Sequence, residues 1–364
     1  MKIVQVSQGY YPSIGGVEEH VRNISERLAR EHQVVVFAGG YSGNLPGEEE
    51  INGVLVRRFK SFSPNDAYHV SFEMARELKS HEFDIVHGHN YHALLLYSCR
   101  YAKAKKFVVT PHYHGHGHTR FRDFLIKLYK PFGKRVFEDA SRVIAVSSYE
   151  KELLKKDFGI DESKISFIPN GLNLAEFGNL EKVARNPRTI LYIGRLEEYK
   201  GVQYIIQTLP LLNQDFRLQV VGKGAYKRKL LELVDKLGLN ERVSFYQDLP
   251  REELVRMYAG AGVFVLLSRC EAYSIVVGEA LAAGVPCIVA KMMALKEWVN
   301  GKNCFGIDYP VDNNRLAELI NRSSEVRVTG VKLWDWDEVA RQISELYQEP
   351  VSYTHLRAHE TSLH

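Results

Sequence analysis

The sequence predicts an α/β protein made of two doubly wound domains, and three observations carry that prediction. Short β-branched apolar runs alternate with amphipathic helical stretches along the whole chain. The rhythm breaks once, around residues 171–187, and then starts afresh. The length, 364 residues, exceeds one typical domain and suits two.

The elements follow in order. KIVQVS at 2–7 reads as a first strand; with one lysine and a short, soon broken apolar run it does not read as a leader. Val17 to Arg30 has a helical pattern, and QVVVFA at 33–38 is the next strand. VLVRRF at 54–59, preceded by the turn signal Asn52-Gly53, reads as an inserted hairpin strand. FDIVHG at 83–88, a helical stretch from Ala93 to Ala102, FVVTP at 107–111, RVIAVS at 142–147 and ISFIP at 165–169 complete the first series. Strand–helix–strand repetition of this kind means parallel sheet. Ile168-Pro169-Asn170-Gly171 interrupts it, and Asn179 to Pro187 is polar with no strand pattern. The second series is TILYIG at 189–194, FRLQVVG at 216–222, RVSFY at 242–246, GVFVLL at 262–267, PCIVA at 286–290 and NCFGID at 303–308. A last helical pattern runs from Trp336 to Tyr347, and Pro350 stops it. The expected domains are 1–172 and 173–335, with a helix at 336–350 packing back on the first of them. The closing VSYTHLRAHETSLH, 351–364, differs in character from everything before it and is read as a non-native appendage.

Composition narrows the function classes. The chain is 45% hydrophobic and 25% charged, ordinary for a globular protein. A net charge of +4 gives no reason to expect nucleic acid. No run of eighteen apolar residues is present, so no membrane span is expected. Cys99, Cys270, Cys287 and Cys304 are scattered in apolar surroundings and read as buried thiols of a cytoplasmic protein.

Ligands of doubly wound sheets sit at the C-terminal ends of the strands, so a cleft between the two domains is the expected site. Several strand ends carry suitable chemistry. Gly15 and Gly16, at a helix start after the first strand, let a phosphate or sugar approach the backbone. Thr110-Pro111-His112-Tyr113-His114-Gly115-His116-Gly117-His118 tempts a metal reading, but no Cys, Asp or Glu accompanies the four histidines. A strand-end histidine stabilising charge is favoured there instead. Gly194-Arg195-Leu196-Glu197-Glu198-Tyr199-Lys200-Gly201 places two cations at one strand-to-helix junction, where both can reach an anion; a solvated charged turn is the plainer alternative. Gly222-Lys223-Gly224 forms another such turn. Glu271 follows a strand and Glu279 enters the helix behind it, eight residues on, so the two carboxylates reach different parts of one elongated ligand. Carboxylates accept from vicinal hydroxyls, which suits sugar and ribose. Capping the helix is the competing reading, strongest for Glu271.

Together these motifs resemble family 4 of the retaining glycosyltransferases, which have the GT-B fold of two Rossmann-like domains facing across a cleft. The resemblance spans about residues 1–349 and rests on Glu-x7-Glu followed by Ala-Leu-Ala-Ala-Gly-Val-Pro (271–286), on Gly-Arg-Leu-x3-Lys-Gly (194–201), and on Ile168-Pro169-Asn170-Gly171. It implies transfer of a hexosyl group from a nucleotide-diphosphate sugar, such as a UDP- or GDP-sugar, to an acceptor hydroxyl of a sugar or a lipid-linked precursor. By resemblance Arg195 and Lys200 bind the diphosphate, Glu279 the ribose, and Glu271 the donor sugar. Backbone amides of Tyr273, Ser274 and Ile275 touch sugar or phosphate, with Gly194 and Gly222 lining the donor site and Gly15 and Gly16 its phosphate and acceptor end. His112 lies near the anomeric centre, with His114 as runner-up. No cofactor and no metal are implied. Asp335-Trp336-Asp337 looks like a metal-binding Asp-x-Asp but precedes a helix and reads as an N-cap. Two positions depart from the family pattern: it often has glycine where Ser274 stands and a bulky apolar residue where Gly278 stands. An epimerase of the same architecture and a non-catalytic carbohydrate-binding protein are the rival readings; the epimerase would lack the paired motifs.

Between Arg100 and Arg135 lie ten basic residues and one acidic residue, Asp123, and Phe121, Phe124, Leu125, Leu128, Tyr129 and Phe132 interleave with them at helical spacing. This segment is expected to rest on an anionic membrane surface through 120–135, making the protein peripheral on the inner membrane face. A core-facing aromatic stripe with a solvated basic face is the alternative.

Overall fold

A computed structural model describes residues 1–350 except 14, 41–42, 63–68, 116–119, 179 and 181–182, and for 120–123 the helical backbone alone. His116 and His118, the side chains of Arg120, Phe121, Arg122 and Asp123, and the tail 351–364 therefore lie outside the described residues.

The chain forms two compact units. The first comprises Met1–Val146, Glu150–Pro169 and the segment from Trp336 on; the second comprises Ser147–Tyr149 and Asn170–Asp335. The crossover thus falls between Pro169 and Asn170, a few residues before the expected 172/173.

The first unit holds one eight-stranded sheet: β1 (Lys2–Ser7), β2 (Gln33–Ala38), β3 (Glu48–Ile51), β4 (Val54–Arg58), β5 (Glu82–His89), β6 (Lys103–Thr110), β7 (Arg142–Ala145) and β8 (Ile165–Phe167). Their order is β3-β4-β2-β1-β5-β6-β7-β8. Every pairing is parallel except β3 with β4, the expected hairpin. Asn52 and Gly53 turn it with φ of 50° and 80°, the left-handed pair that matches strand twist. β1 is buried along all but its first residue, as a central parallel strand covered on both faces must be. The helix expected over 93–102 is shorter than the pattern suggested: Leu95–Ser98 runs directly into a 3-10 turn at Cys99–Tyr101.

The last helix, Trp336–Gln348, packs in this first unit against the helix Gly16–Leu28. Trp336 stacks edge-on to His20, and Asp337 pairs with Arg27 at 2.8 Å and Arg30 at 3.0 Å. Lys106 on β6 is buried and donates to the terminal carbonyls of Leu346 (2.8 Å) and Glu349 (2.6 Å). A cation there satisfies orphan carbonyls and opposes the helix dipole.

The second unit holds a six-stranded, all-parallel sheet of β9 (Asn186–Ile193), β10 (Arg217–Val221), β11 (Val243–Tyr246), β12 (Ala261–Leu266), β13 (Cys287–Ala290) and β14 (Cys304–Ile307) in the order β11-β10-β9-β12-β13-β14. Contrary to the polar linker reading, β9 begins at Asn186 and includes Pro187. A register shift opposite, between Ala261 and Val263, accommodates the missing proline donor. All four cysteines are buried free thiols. Among the described residues no helix is long and apolar enough to cross a membrane.

The helix Arg120–Asp139 shows how the basic aromatic segment is disposed. Its core face is Ile126, Val136 and Phe137. Phe124, Leu128 and Phe132, spaced i, i+4, i+8, point outward with 56%, 56% and 55% of their surface exposed, whereas Tyr129 is partly buried and packs against the core with its ring 5.2 Å from that of Tyr91. The ten cations, however, do not form one surface. Lys106 is buried, Arg100 pairs with Asp139 at 2.6 Å, Lys105 with Asp84 at 2.6 Å, and Lys130 with Asp157 at 3.0 Å. Lys127, Lys134 and Arg135 remain exposed on the helix.

Candidate active site

In the second unit the singled-out residues gather at the C-terminal ends of three adjacent strands, β10, β9 and β12. Gly194 follows β9 and Gly222 follows β10. Gly222 has φ 148°, and a Cβ there would sit 1.9 Å from the Gly194 carbonyl oxygen, so only glycine lets these two strand ends close on each other. Arg195 is exposed; its guanidinium donates to Tyr199 Oη at 3.3 Å, and its carbonyl accepts from Tyr192 Oη at 2.8 Å. Lys200 ends a 3-10 turn, Glu198–Lys200. The next residue, Gly201, has φ 80° and lies against the Leu267 carbonyl, where a Cβ would come within 2.4 Å. The turn is thereby pressed onto the end of β12, which carries Lys200 toward Glu271.

Lys200 Nζ and Glu271 Oε1 are 2.6 Å apart, with about one-seventh of each side chain exposed (14% and 15%). Burial alone would lower the pKa of the Lys200 ammonium; the Glu271 carboxylate outweighs it and raises that pKa above the usual lysine value. Lys200 is therefore charged at neutral pH.

Glu279 lies in the helix Ile275–Ala282 and is buried. Its Oε2 accepts from Tyr258 Oη at 2.8 Å and its Oε1 pairs with Arg251 at 2.6 Å; Arg251 also holds Glu176 at 2.7 Å. Arg251, Tyr258 and Glu176 gave no sequence signal, because each belongs to an unremarkable polar stretch. A carboxylate oxygen has two lone pairs, so this holding leaves capacity for a ligand hydroxyl.

Ser274 caps that helix with φ 83° and ψ 82°, the left-handed region that favours glycine, and its buried hydroxyl has no hydrogen-bond partner among the described residues. The first departure from the family pattern thus sits where serine is strained. The second has a packing cause: a Cβ on Gly278 would lie 3.0 Å from Leu172 and 3.2 Å from Trp298, so no bulky side chain fits. Trp298 is itself fixed by donating to the Tyr273 carbonyl at 2.9 Å. The amides of Ser274 and Ile275 stand at a helix start, where N–H groups lack helical partners.

In the first unit, Gly15 caps the helix Gly16–Leu28 directly behind β1, and Glu18 crowds the place a Cβ on Gly15 would take. His112 follows β6 with φ 47° and is buried. Its ring neighbours among the described residues differ from those of His114. His114 stacks on His92, ring centroids 4.6 Å apart, whereas His112 meets His20 (4.9 Å) and His89 (6.3 Å). Burial holds the imidazoles of His87, His89 and His112 well below their usual pKa, so they are neutral. The fully buried Glu150 accepts from the backbone N–H of Tyr113 (2.5 Å) and of Val146 (2.7 Å), which pins the backbone behind His112. The one legible signal of this nest was His87-Gly88-His89, polar residues at alternate positions in an apolar strand.

Comparison with known proteins identifies the family and the fold. Residues 14–176 match the model described as Glycosyltransferase Family 4, and residues 179–329 that of Glycosyl transferases group 1. The uncharacterized glycosyltransferase MJ1607 of Methanocaldococcus jannaschii is 29% identical over 96% of this chain and 98% of its own length. A GDP-mannose-dependent alpha-(1-6)-phosphatidylinositol monomannoside mannosyltransferase of Mycolicibacterium smegmatis is 25% identical over 94% of this chain and 97% of its own. Among solved structures, the sucrose-phosphate synthase of Thermosynechococcus elongatus superposes with a TM-score of 0.78 at 22% identity, covering 95% of this chain and 98% of that one. The two-sheet fold is that of the GT-B glycosyltransferases.

Proposed function

The chain belongs to the family 4 glycosyltransferases, and from that premise we propose that it is a retaining enzyme moving a hexosyl group from a UDP- or GDP-sugar to an acceptor hydroxyl. The observation that carries the reading is the convergence of Arg195, Lys200, Glu271 and Glu279 behind two adjacent strands, β9 and β12, of one parallel sheet. Arg195 and Lys200 neutralise the diphosphate as it departs, Glu279 takes the ribose, and Glu271 faces the donor sugar. His112 serves the reacting carbon. The acceptor oxygen enters on the face the diphosphate leaves, so the configuration is kept. Positioning and preorganised charge account for the catalysis, and two side-chain cations make a metal at the diphosphate unnecessary.

Thermal-shift screening of UDP- and GDP-sugars, followed by turnover of the best donor against candidate acceptors, tests the proposal. A stabilising nucleotide sugar should be found, the product should keep the anomeric configuration, and a strong chelator should not stop transfer. Inversion, or loss on chelation restored by magnesium, would overturn it.

The acceptor reading is a lipid-linked one. The outward face of Phe124, Leu128 and Phe132 flanked by Lys127, Lys134 and Arg135 combines apolar area with positive charge, the chemistry of an anionic lipid surface. The Mycolicibacterium smegmatis relative above is named for a phosphatidylinositol monomannoside, which supports this reading.

A further inference from the structure

Three imidazoles of the first unit meet although they come from separate elements: His20 from the helix Gly16–Leu28, His89 from the end of β5 and His112 from beyond β6. One ring nitrogen of each lies within 4.8 Å of those of the other two. Their exposures are 0%, 1% and 8%.

The surrounding network fixes which nitrogens are available. Gln5 Nε2 donates to Tyr347 Oη at 3.1 Å, which orients the amide so that Gln5 Oε1 accepts from His89 Nε2 at 2.7 Å. His89 Nδ1 is then left with a lone pair, and it has no hydrogen-bond partner among the described residues. His112 Nε2 is buried and unpartnered in the same sense. His87, whose ring centroid is 4.1 Å from that of His89, differs: its two nitrogens meet Tyr347 Oη (2.6 Å) and Thr110 Oγ1 (2.7 Å). Two orphaned imidazole nitrogens in one buried nest are costly unless something binds them.

We propose that His20, His89 and His112 form a three-histidine site for a divalent transition-metal ion of the zinc class, its fourth position left to water or a small ligand. Neutral imidazoles need lose no proton to bind. In a tetrahedral site the nitrogens stand about 3.4 Å apart, so modest ring rotations close the observed spacing. The His89–Gln5 bond is the outer contact that orients a ligating imidazole. An all-nitrogen set selects zinc, cobalt or nickel over magnesium, which separates this site from the diphosphate chemistry. Occupation would engage His112 and so slow transfer; that consequence, unlike binding, rests on the function proposed above.

The test is a cobalt titration of the chelator-stripped full chain, in a background where His355, His359 and His364 are replaced by glutamine so that tail histidines cannot contribute. A visible ligand-field band saturating at one ion per chain, and lost on adding zinc, is expected. His20→Ala and His89→Ala should each raise the cobalt Kd at least 100-fold, Gln5→Leu roughly 10- to 100-fold, and the exposed His81→Gln not at all. Circular dichroism checks folding of each variant. X-ray absorption at the zinc edge needs no site variant: three imidazole nitrogens at about 2.0 Å are expected. No cobalt band, a band surviving in folded His20→Ala and His89→Ala, or a zinc shell of oxygen or sulfur alone would each overturn the site. Binding without inhibition would leave the metal site standing and count against the role given to His112.

Discussion

Lys200 Nζ sits 2.6 Å from Glu271 Oε1, so the cation assigned to the diphosphate and the carboxylate assigned to the sugar hold one another before any ligand arrives. The two are preorganised as a unit, and a donor enters by sharing that pair. Arg195, by contrast, is exposed, and its guanidinium donates to Tyr199 at 3.3 Å. Arg195→Ala should therefore lower kcat by roughly two orders of magnitude with Tm unchanged. Lys200→Ala should lower kcat at least as far and also lower Tm, because it strands a mostly buried carboxylate. Steady-state kinetics and thermal melts check both; normal turnover in either variant would remove the diphosphate assignment.

Glu279 is positioned from behind by Arg251 and Tyr258. Contacts to a ribose remain the same through the reaction, so loosening this carboxylate should weaken donor binding with little effect on the chemical step. Arg251→Met is expected to raise the donor KM roughly 10-fold or more while kcat changes less than about threefold. A fall in kcat at unchanged KM would show that Glu279 acts on the transition state instead.

Ser274 and Gly278 make opposite stability predictions within five residues. Ser274→Gly relieves a left-handed φ and should stabilise the protein by about 1 kcal/mol. Gly278→Val drives a side chain into Leu172 and Trp298 and should destabilise it by about 1–3 kcal/mol. Denaturant unfolding monitored at Trp298, with Ser274→Ala as control, reads both. A destabilised Ser274→Gly would mean that the backbone there is held by something other than the serine's own strain.

The outward face of the helix Arg120–Asp139 should bind vesicles containing anionic lipid and release them as salt rises, since the attraction is screened over about 8 Å at physiological ionic strength. Replacing Phe124, Leu128 and Phe132 together by serine should abolish co-sedimentation without lowering Tm, because these rings contribute little to the core. Protein that stays in the supernatant with anionic vesicles at low salt would favour a soluble acceptor.

Much of this could be read from the sequence, and the reasons are local. Alternating strand and helix periods, the Asn52-Gly53 turn and the 194–201 and 271–286 motifs each report on neighbours in the chain. The partners of Glu279 could not be read that way, because Arg251 and Tyr258 reach it across the fold from a helix with no marked pattern. The neighbours of His112 were out of reach for the same reason. Adjacent in sequence, His112 and His114 look like one group, but Tyr113 packs between them into the aromatic cluster around Tyr91 and turns them to different neighbours. The charge excess at 100–135 was counted correctly, yet a count cannot say that Lys106 points inward to a helix end.

The return of Trp336–Gln348 to the first unit has a consequence for the order of synthesis. The ribosome emits residues 1–169 first, but at that moment Gln5 and His87 lack Tyr347, His20 lacks Trp336, and Lys106 has no carbonyls to meet. The second unit, encoded almost wholly within 170–335, has its sheet complete while the earlier-made one still waits. The half that leaves the tunnel first is thus the half that matures last, and a transcript cut short before codon 336 yields a nascent chain whose first unit has every strand of its sheet but lacks the helix that packs there.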